Sequence, residues 1–255
     1  MLLPLLALFL RVPPGKLIRQ LDSPVVRDAL VVTLKTNAIA MALILLIGTP
    51  TAYLIGTRRF RGRPFALTLV ELPLVLPPAV AGIGLLAAFG RVGLLGTQLQ
   101  WLGLQIPFTQ TAVVMAVAFV ASPFYLRQGI AAFETLDQNL IDAARTLGAS
   151  PARVFFRVAL PLAMAGLSAG AALAFARGIG EFGATIMFAG SFQGVTQTLS
   201  LAIYSEFDVN FDVALTISAL LVVVSAMILL AVKLRPAWTR SDSTSDFLFA
   251  RSTSS

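Results

Sequence analysis

Arg177 and Glu181 stand four residues apart in an otherwise apolar stretch, the spacing at which a guanidinium and a carboxylate meet on one helix face. Charges at membrane depth cost at least ~2.5 kcal/mol each and face a bundle interior or a pathway. The pair therefore reads as a structural brace or as part of a gate. Glu71 is a lone carboxylate in a second apolar stretch. Other chemistry is scarce, because the chain holds no Cys and no His. That removes thiol nucleophiles, imidazole acid–base catalysis, disulfides and Cys/His metal sites together. Neither an HExxH centre nor a Ser/His pair can be built. The sole Gly-Lys pair, Gly15-Lys16, is followed by Leu17 and lacks the upstream glycine of a phosphate-cradling loop. No catalytic residue, cofactor or metal is expected, and any ATP hydrolysis must come from another polypeptide.

The elements that would position these residues follow from composition. Of 255 residues, 57% are hydrophobic and 12% charged, against roughly 25% charged in a soluble domain. A water-facing shell would need more polar side chains, so the outer face is expected to meet lipid. The net charge of +7 is distributed among loops between apolar runs and lacks the aromatic interleaving of a nucleic-acid groove. No nucleic-acid partner is expected.

A spanning helix needs about 20 mostly apolar residues. Four runs qualify directly: 36–56, 64–89, 111–130 and 213–234. A fifth, 158–179, is rich in small residues (Ala163, Gly166, Ala169, Gly170, Ala174) that permit close helix packing. Residues 1–10 make half a span and lack the basic leader and cleavage site of a signal peptide, so they read as part of a sixth helix or as an interfacial segment. The fold class is thus all-α, a polytopic transmembrane bundle of about five to six spans. Arginines cluster at 57–64, at 127–157 and in the C-terminal tail, whereas 90–110 holds only Arg91 and 178–212 holds none. The basic set is assigned to the cytoplasm, C-terminus included. Arg11, Lys16, Arg19, Arg27 and Lys35 fall on the opposite side from that assignment.

Residues 137–161, DQNLIDAARTLGASPARVFFRVALP, spell helix, break, helix. Leu140, Ala144 and Leu147 recur at helical spacing and form one apolar stripe. Gly148 supplies the left-handed residue that commonly stops a helix. Ser150 is a good N-cap, and Pro151 follows at the first helical position, where its missing N–H costs nothing. Ala143 and Ala144 are small enough for a partner's groove to close around the backbone. By local chemistry the segment is either a docking element or a plain interfacial hairpin. In the run from Glu71 to Gly82, Pro73, Pro77 and Pro78 interrupt a span. Each interior proline frees carbonyls that must find partners inside the protein, so this helix faces neighbours or a water-filled path, or is simply kinked.

Asp142-Ala143-Ala144, three residues, Gly148, nine residues, then Val158-Ala159-Leu160-Pro161 resembles the EAA loop of ABC-importer permeases, E-A-A-x3-G-x9-I-x-L-P. Asp replaces Glu and Val replaces Ile, which keeps charge and shape. The resemblance implies that this loop is a coupling helix docking into an ATPase subunit, with Asp142, Ala143, Ala144, Leu147, Gly148, Pro151, Leu160 and Pro161 at the contact. The proline-rich run and the stretch from Ala174 to Thr185 look like the corresponding parts of molybdate, tungstate and sulfate permeases. The stretch from Thr196 to Tyr204 looks more like the molybdate branch. This implies a homodimer with two ATPase copies and an extracytoplasmic oxyanion-binding protein, in the inner membrane. Pathway or gate residues would be Pro73, Pro77, Pro78, Gly82, Arg177, Glu181, Phe182 and Gly183. A sulfate or thiosulfate permease is the nearest alternative, and a stand-alone secondary transporter a more distant one. On this reading residues 1–30 form a partial span and loop, 31–235 the permease domain, and 236–255 a disordered cytoplasmic tail.

Overall fold

The computed structural model describes residues 3–11 and 14–238, so positions 239–255 of the expected tail lie outside the described residues. Among those described, the elements are all helical. Two short helices, α1 (Leu3–Arg11) and α2 (Pro14–Leu21), precede α3 (Pro24–Thr57). At nine residues, α1 is about 13 Å long, too short to span alone. Ser23 caps α3 by accepting the Val26 N–H at 3.4 Å, and Pro24 opens its first turn. The span expected to begin at 36 therefore begins at 24, and the boundary drawn at 30/31 falls inside a helix. Arg27 and Lys35 interrupt the apolar run by composition, yet long side chains at an interface snorkel and leave the helix intact.

The run 64–89 is not one straight span. It divides into α4 (Arg63–Val75) and α5 (Pro78–Phe89), which meet at 113°. Leu76 and Pro77 are extended at the break, as expected where Pro77 and Pro78 follow in succession. A short α6 (Gly96–Trp101) leads to α7 (Gln110–Glu134). This helix continues past the expected 130, so the inner connection begins at 135. Next come α8 (Gln138–Thr146), α9 (Pro151–Val154), a π-helical turn (Phe155–Ala159) and α10 (Leu160–Ile179). Pro161 offers no N–H to the carbonyl four residues back, and the turn before it widens to an i→i+5 bond from Leu160 N–H to Phe155 O. The outer stretch 178–212 contains α11 (Gly183–Ala189) and α12 (Leu199–Glu206). Finally α13 (Phe211–Trp238) runs three residues past the expected end of the membrane region.

Three helices are long and apolar enough to cross a membrane, α3, α7 and the continuous rod Pro151–Ile179, and the bent α4–α5 pair makes a fourth crossing if taken as one. Helix α13 is 28 residues long, and its stretch Phe211–Met227 is apolar but shorter than these spans among the described residues. Helix α7 is the centre, packed between α3 and α10. Gly166 and Gly170 sit so close to α7 that added Cβ atoms would come within 2.8 Å of Ala132 and Gln128 side chains. Tyr53, Phe133 and Phe155 close one end of the core with edge-on ring contacts at 5.3 and 4.9 Å. That end also holds Arg63, which pairs with Glu134 and donates from Nε to Ile55 O at 3.0 Å. At the other end Leu199 N–H donates to buried Thr33 Oγ1 at 2.8 Å, and Ser200 Oγ donates to Ile179 O at 3.2 Å. The arginine-rich connections 58–63 and 145–157 thus gather at one end, with 178–212 at the opposite end.

Candidate functional site

Two sites lie at opposite ends of the bundle. At the arginine-rich end, Asp137 caps α8 by accepting the Asn139 N–H at 2.9 Å. The helix stops in a Schellman arrangement: Ala149 N–H donates to Ala144 O at 3.0 Å and Gly148 N–H to Arg145 O at 2.9 Å. Gly148 has φ +81°, as its expected role requires. Ser150 then accepts the Arg153 N–H at 3.4 Å and Pro151 opens the next helix. Helix, stop and restart all stand where the residue types put them.

The apolar stripe faces differently from what packing on the bundle would require. Ile141, which lies off that stripe, is 2% exposed and anchors α8 to α9 and the π turn, whereas Leu140 and Leu147 are 48% and 88% exposed. Asp142 and Ala143 are also exposed, and Asp142 pairs with Arg145 at 3.2 Å. The segment therefore presents Leu140, Asp142, Ala143, Leu147 and Gly148 outward on a rigid turn. Leu160 and Pro161 stand apart from this face, in the first turn of α10.

At the opposite end, Arg177 pairs with Glu181 at 2.7 Å although α10 ends at Ile179. Glu181 is 2% exposed. Its Oε2 faces the guanidinium while Oε1 accepts the Ala184 N–H at 2.8 Å, satisfying the first turn of α11. Gly82 on α5 and Gly183 on α11 bring these helices into backbone contact. A Cβ on Gly82 would lie 2.5 Å from Ala184 O, and one on Gly183 would lie 2.7 Å from Pro78 Cβ. Phe182 stacks obliquely on Tyr204, with ring centroids 5.4 Å apart. Pro78, Gly82, Arg177, Glu181 and Gly183 thus form one connected cluster. Pro73 and Pro77 lie outside it, on α4 and at the bend.

Sequence reading missed a buried polar face on α3. Thr33, Thr36 and Asn37 are 1–3% exposed, and Thr33 holds Leu199. Their i, i+3, i+4 spacing inside an apolar run was the available signal, since polar residues in a span turn inward. Glu71 is also not alone, for it pairs with Arg127 at 3.4 Å.

Residues 44–234 match the family described as "Binding-protein-dependent transport system inner membrane component". The chain is 43% identical over 233 residues to the molybdenum transport system permease protein ModB of Mycobacterium tuberculosis, covering 91% of this chain and 88% of that protein. Its counterpart in Escherichia coli K12 is 40% identical over 179 residues, covering 70% and 78%. Among solved structures, an inward-facing MetNI methionine ABC transporter aligns with TM-score 0.63 at 22% identity, covering 82% of this chain and 93% of that one. A bacterial alginate ABC transporter aligns with TM-score 0.69 at 15% identity, covering 93% and 87%. These two show the shared fold. The family match spans the bent α4–α5 pair, the central α7 and the α8 turn, and this chain belongs to the family of binding-protein-dependent transport system inner membrane components.

Proposed function

We propose that this chain is the membrane-spanning subunit of an ATP-driven importer for molybdate, with tungstate as the close chemical analogue. Two copies would form the pore, each docked through Asp142–Gly148 to one ATPase subunit on the cytoplasmic side. An extracytoplasmic binding protein would deliver the oxyanion at the end that holds Arg177 and Glu181. The C-terminus of α13 would then lie in the cytoplasm. ATP-driven closure of the ATPases moves the paired α8 turns, and the two bundles rock between outward and inward access.

The observation that carries this reading is the near full-length similarity to molybdenum permeases, 91% of the chain at 43% identity. The exposed, rigidly capped α8 turn supports it independently, because its outward apolar residues need a partner. The test is reconstitution with the ATPase and binding protein in proteoliposomes, with ATP on the ATPase side. Uptake of molybdate and tungstate with stimulated hydrolysis is expected. Sulfate uptake without molybdate uptake would overturn the substrate, and uptake without the ATPase would overturn the mechanism.

A further inference from the structure

Arg127 sits seven residues before the inner end of α7, which places its Cα about 10 Å along the helix from that end. Glu71 stands eight residues along α4 from Arg63, about 12 Å by the same rise. They meet through Nε and Oε1 at 3.4 Å, yet 62% and 48% of their side-chain surfaces stay uncovered. Charges held there against hydrocarbon are strongly disfavoured, so the uncovered side needs water or protein. Arg127 opens on a cavity of about 440 Å3 that it lines with Leu74, Phe124, Gln128, Ala131 and Leu173, where α4, α7 and α10 converge, whereas Glu71 borders a smaller one of about 180 Å3. No residue of α4 is buried within one copy, so this side of the cavity is left open to whatever lies outside the single chain. Among the described residues, Nε is the guanidinium nitrogen that faces Glu71. The two terminal amino groups of the guanidinium have no other ion-pair partner among the described residues, and they form the edge that grips an oxyanion through two parallel hydrogen bonds.

We propose that Arg127, braced by Glu71 and flanked by Gln128, is the cationic contact for the travelling oxyanion in the inner half of a water-filled path between two copies of this chain. This rests on the importer reading above. The carboxylate offsets much of the guanidinium's charge, so an anion meeting the free amino edge is held less tightly than by an unpaired arginine. Weak, transient contact is what a conducting site needs, since tight binding would stop release.

The absence of native cysteine makes the test clean. Arg127→Cys is reconstituted with the ATPase and binding protein, with co-purification of the ATPase as the check on folding. It is then treated with hydrophilic thiosulfonates that add either an ammonium or a sulfonate. Labelling from the cytoplasmic side is expected in the nucleotide-free state, with slower labelling when the ATPases are trapped closed. Uptake should fall about tenfold in the cysteine variant, recover with the ammonium adduct, and stay low with the sulfonate. Arg127→Lys should keep most uptake. Glu71→Gln, which frees the guanidinium, should lower both KM and maximal uptake, as a site that binds more tightly and releases more slowly would. A cysteine inert to both reagents in every nucleotide state would mean that the side chain snorkels to lipid headgroups and would overturn the proposal. Equal uptake by the two adducts would do the same. If the parent complex moves no molybdate, the importer reading fails first and this inference falls with it. Transport by the parent with an inert position 127 sinks the inference alone.

Discussion

Glu181 does two jobs with two oxygens, and substitution can separate them. Glu181→Gln keeps an acceptor for the Ala184 N–H but removes the charge facing Arg177, whereas Glu181→Ala removes both. Losing a buried partner costs up to about 3–5 kcal/mol, less here because Arg177 keeps 28% of its side chain exposed. Losing the helix-end acceptor adds about 1 kcal/mol. Thermal unfolding in detergent should rank parent above Gln above Ala, and equal melting of the two variants would show that the Ala184 bond contributes nothing. Gly82→Val should destabilise more than either, since its Cβ alone meets a backbone carbonyl at 2.5 Å. The four-residue spacing made the Arg177–Glu181 pair legible in the sequence. The contact of Gly82 with Ala184 was not, because no local pattern says which distant backbone a glycine will touch.

At the scale of elements, the α8–α9 turn was readable almost residue by residue, because caps and stops act within a few positions. Gly148, Ser150 and Pro151 each impose their own backbone geometry. Which face would be buried was not readable. Ile141 anchors the helix while Leu140 and Leu147 point outward, and periodicity cannot distinguish a bundle from an absent partner. Gly148 gives the sharpest prediction. Open space surrounds its missing Cβ, so any penalty is conformational. Alanine should cost roughly 1 kcal/mol and valine more. Gly148→Val should still insert into membranes, lose co-purification with the ATPase and abolish uptake. If it assembles and couples like the parent, the turn is only a connector. The bend in 64–89 was half legible. The prolines announced an interruption, but neither the 113° angle nor the packing of α11 on α5 could be read from them.

For the whole molecule, the two ends differ in charge and this difference fixes an expected orientation. A cysteine at Gly194 should react with an impermeant thiol reagent only from outside, and one at Arg59 only from the cytoplasm. The reverse pattern would invert every assignment of inner and outer. Alternation of basic and neutral connections was visible in the sequence, as was the all-helical class, since both depend on composition. The early start of α3 was hidden because Arg27 and Lys35 look like loop residues.

The rod Pro151–Ile179 contains 29 residues, about 44 Å of helix, and its single π turn lies close to the α8 end. Viewed mechanically, and on the proposed docking, this would be a shaft with one joint beside its drive. Torque applied at the projecting turn would then reach Arg177 except for what that joint absorbs. Deleting one residue from 155–159 would turn the shaft by about 100° relative to its drive, leaving both ends folded and out of phase.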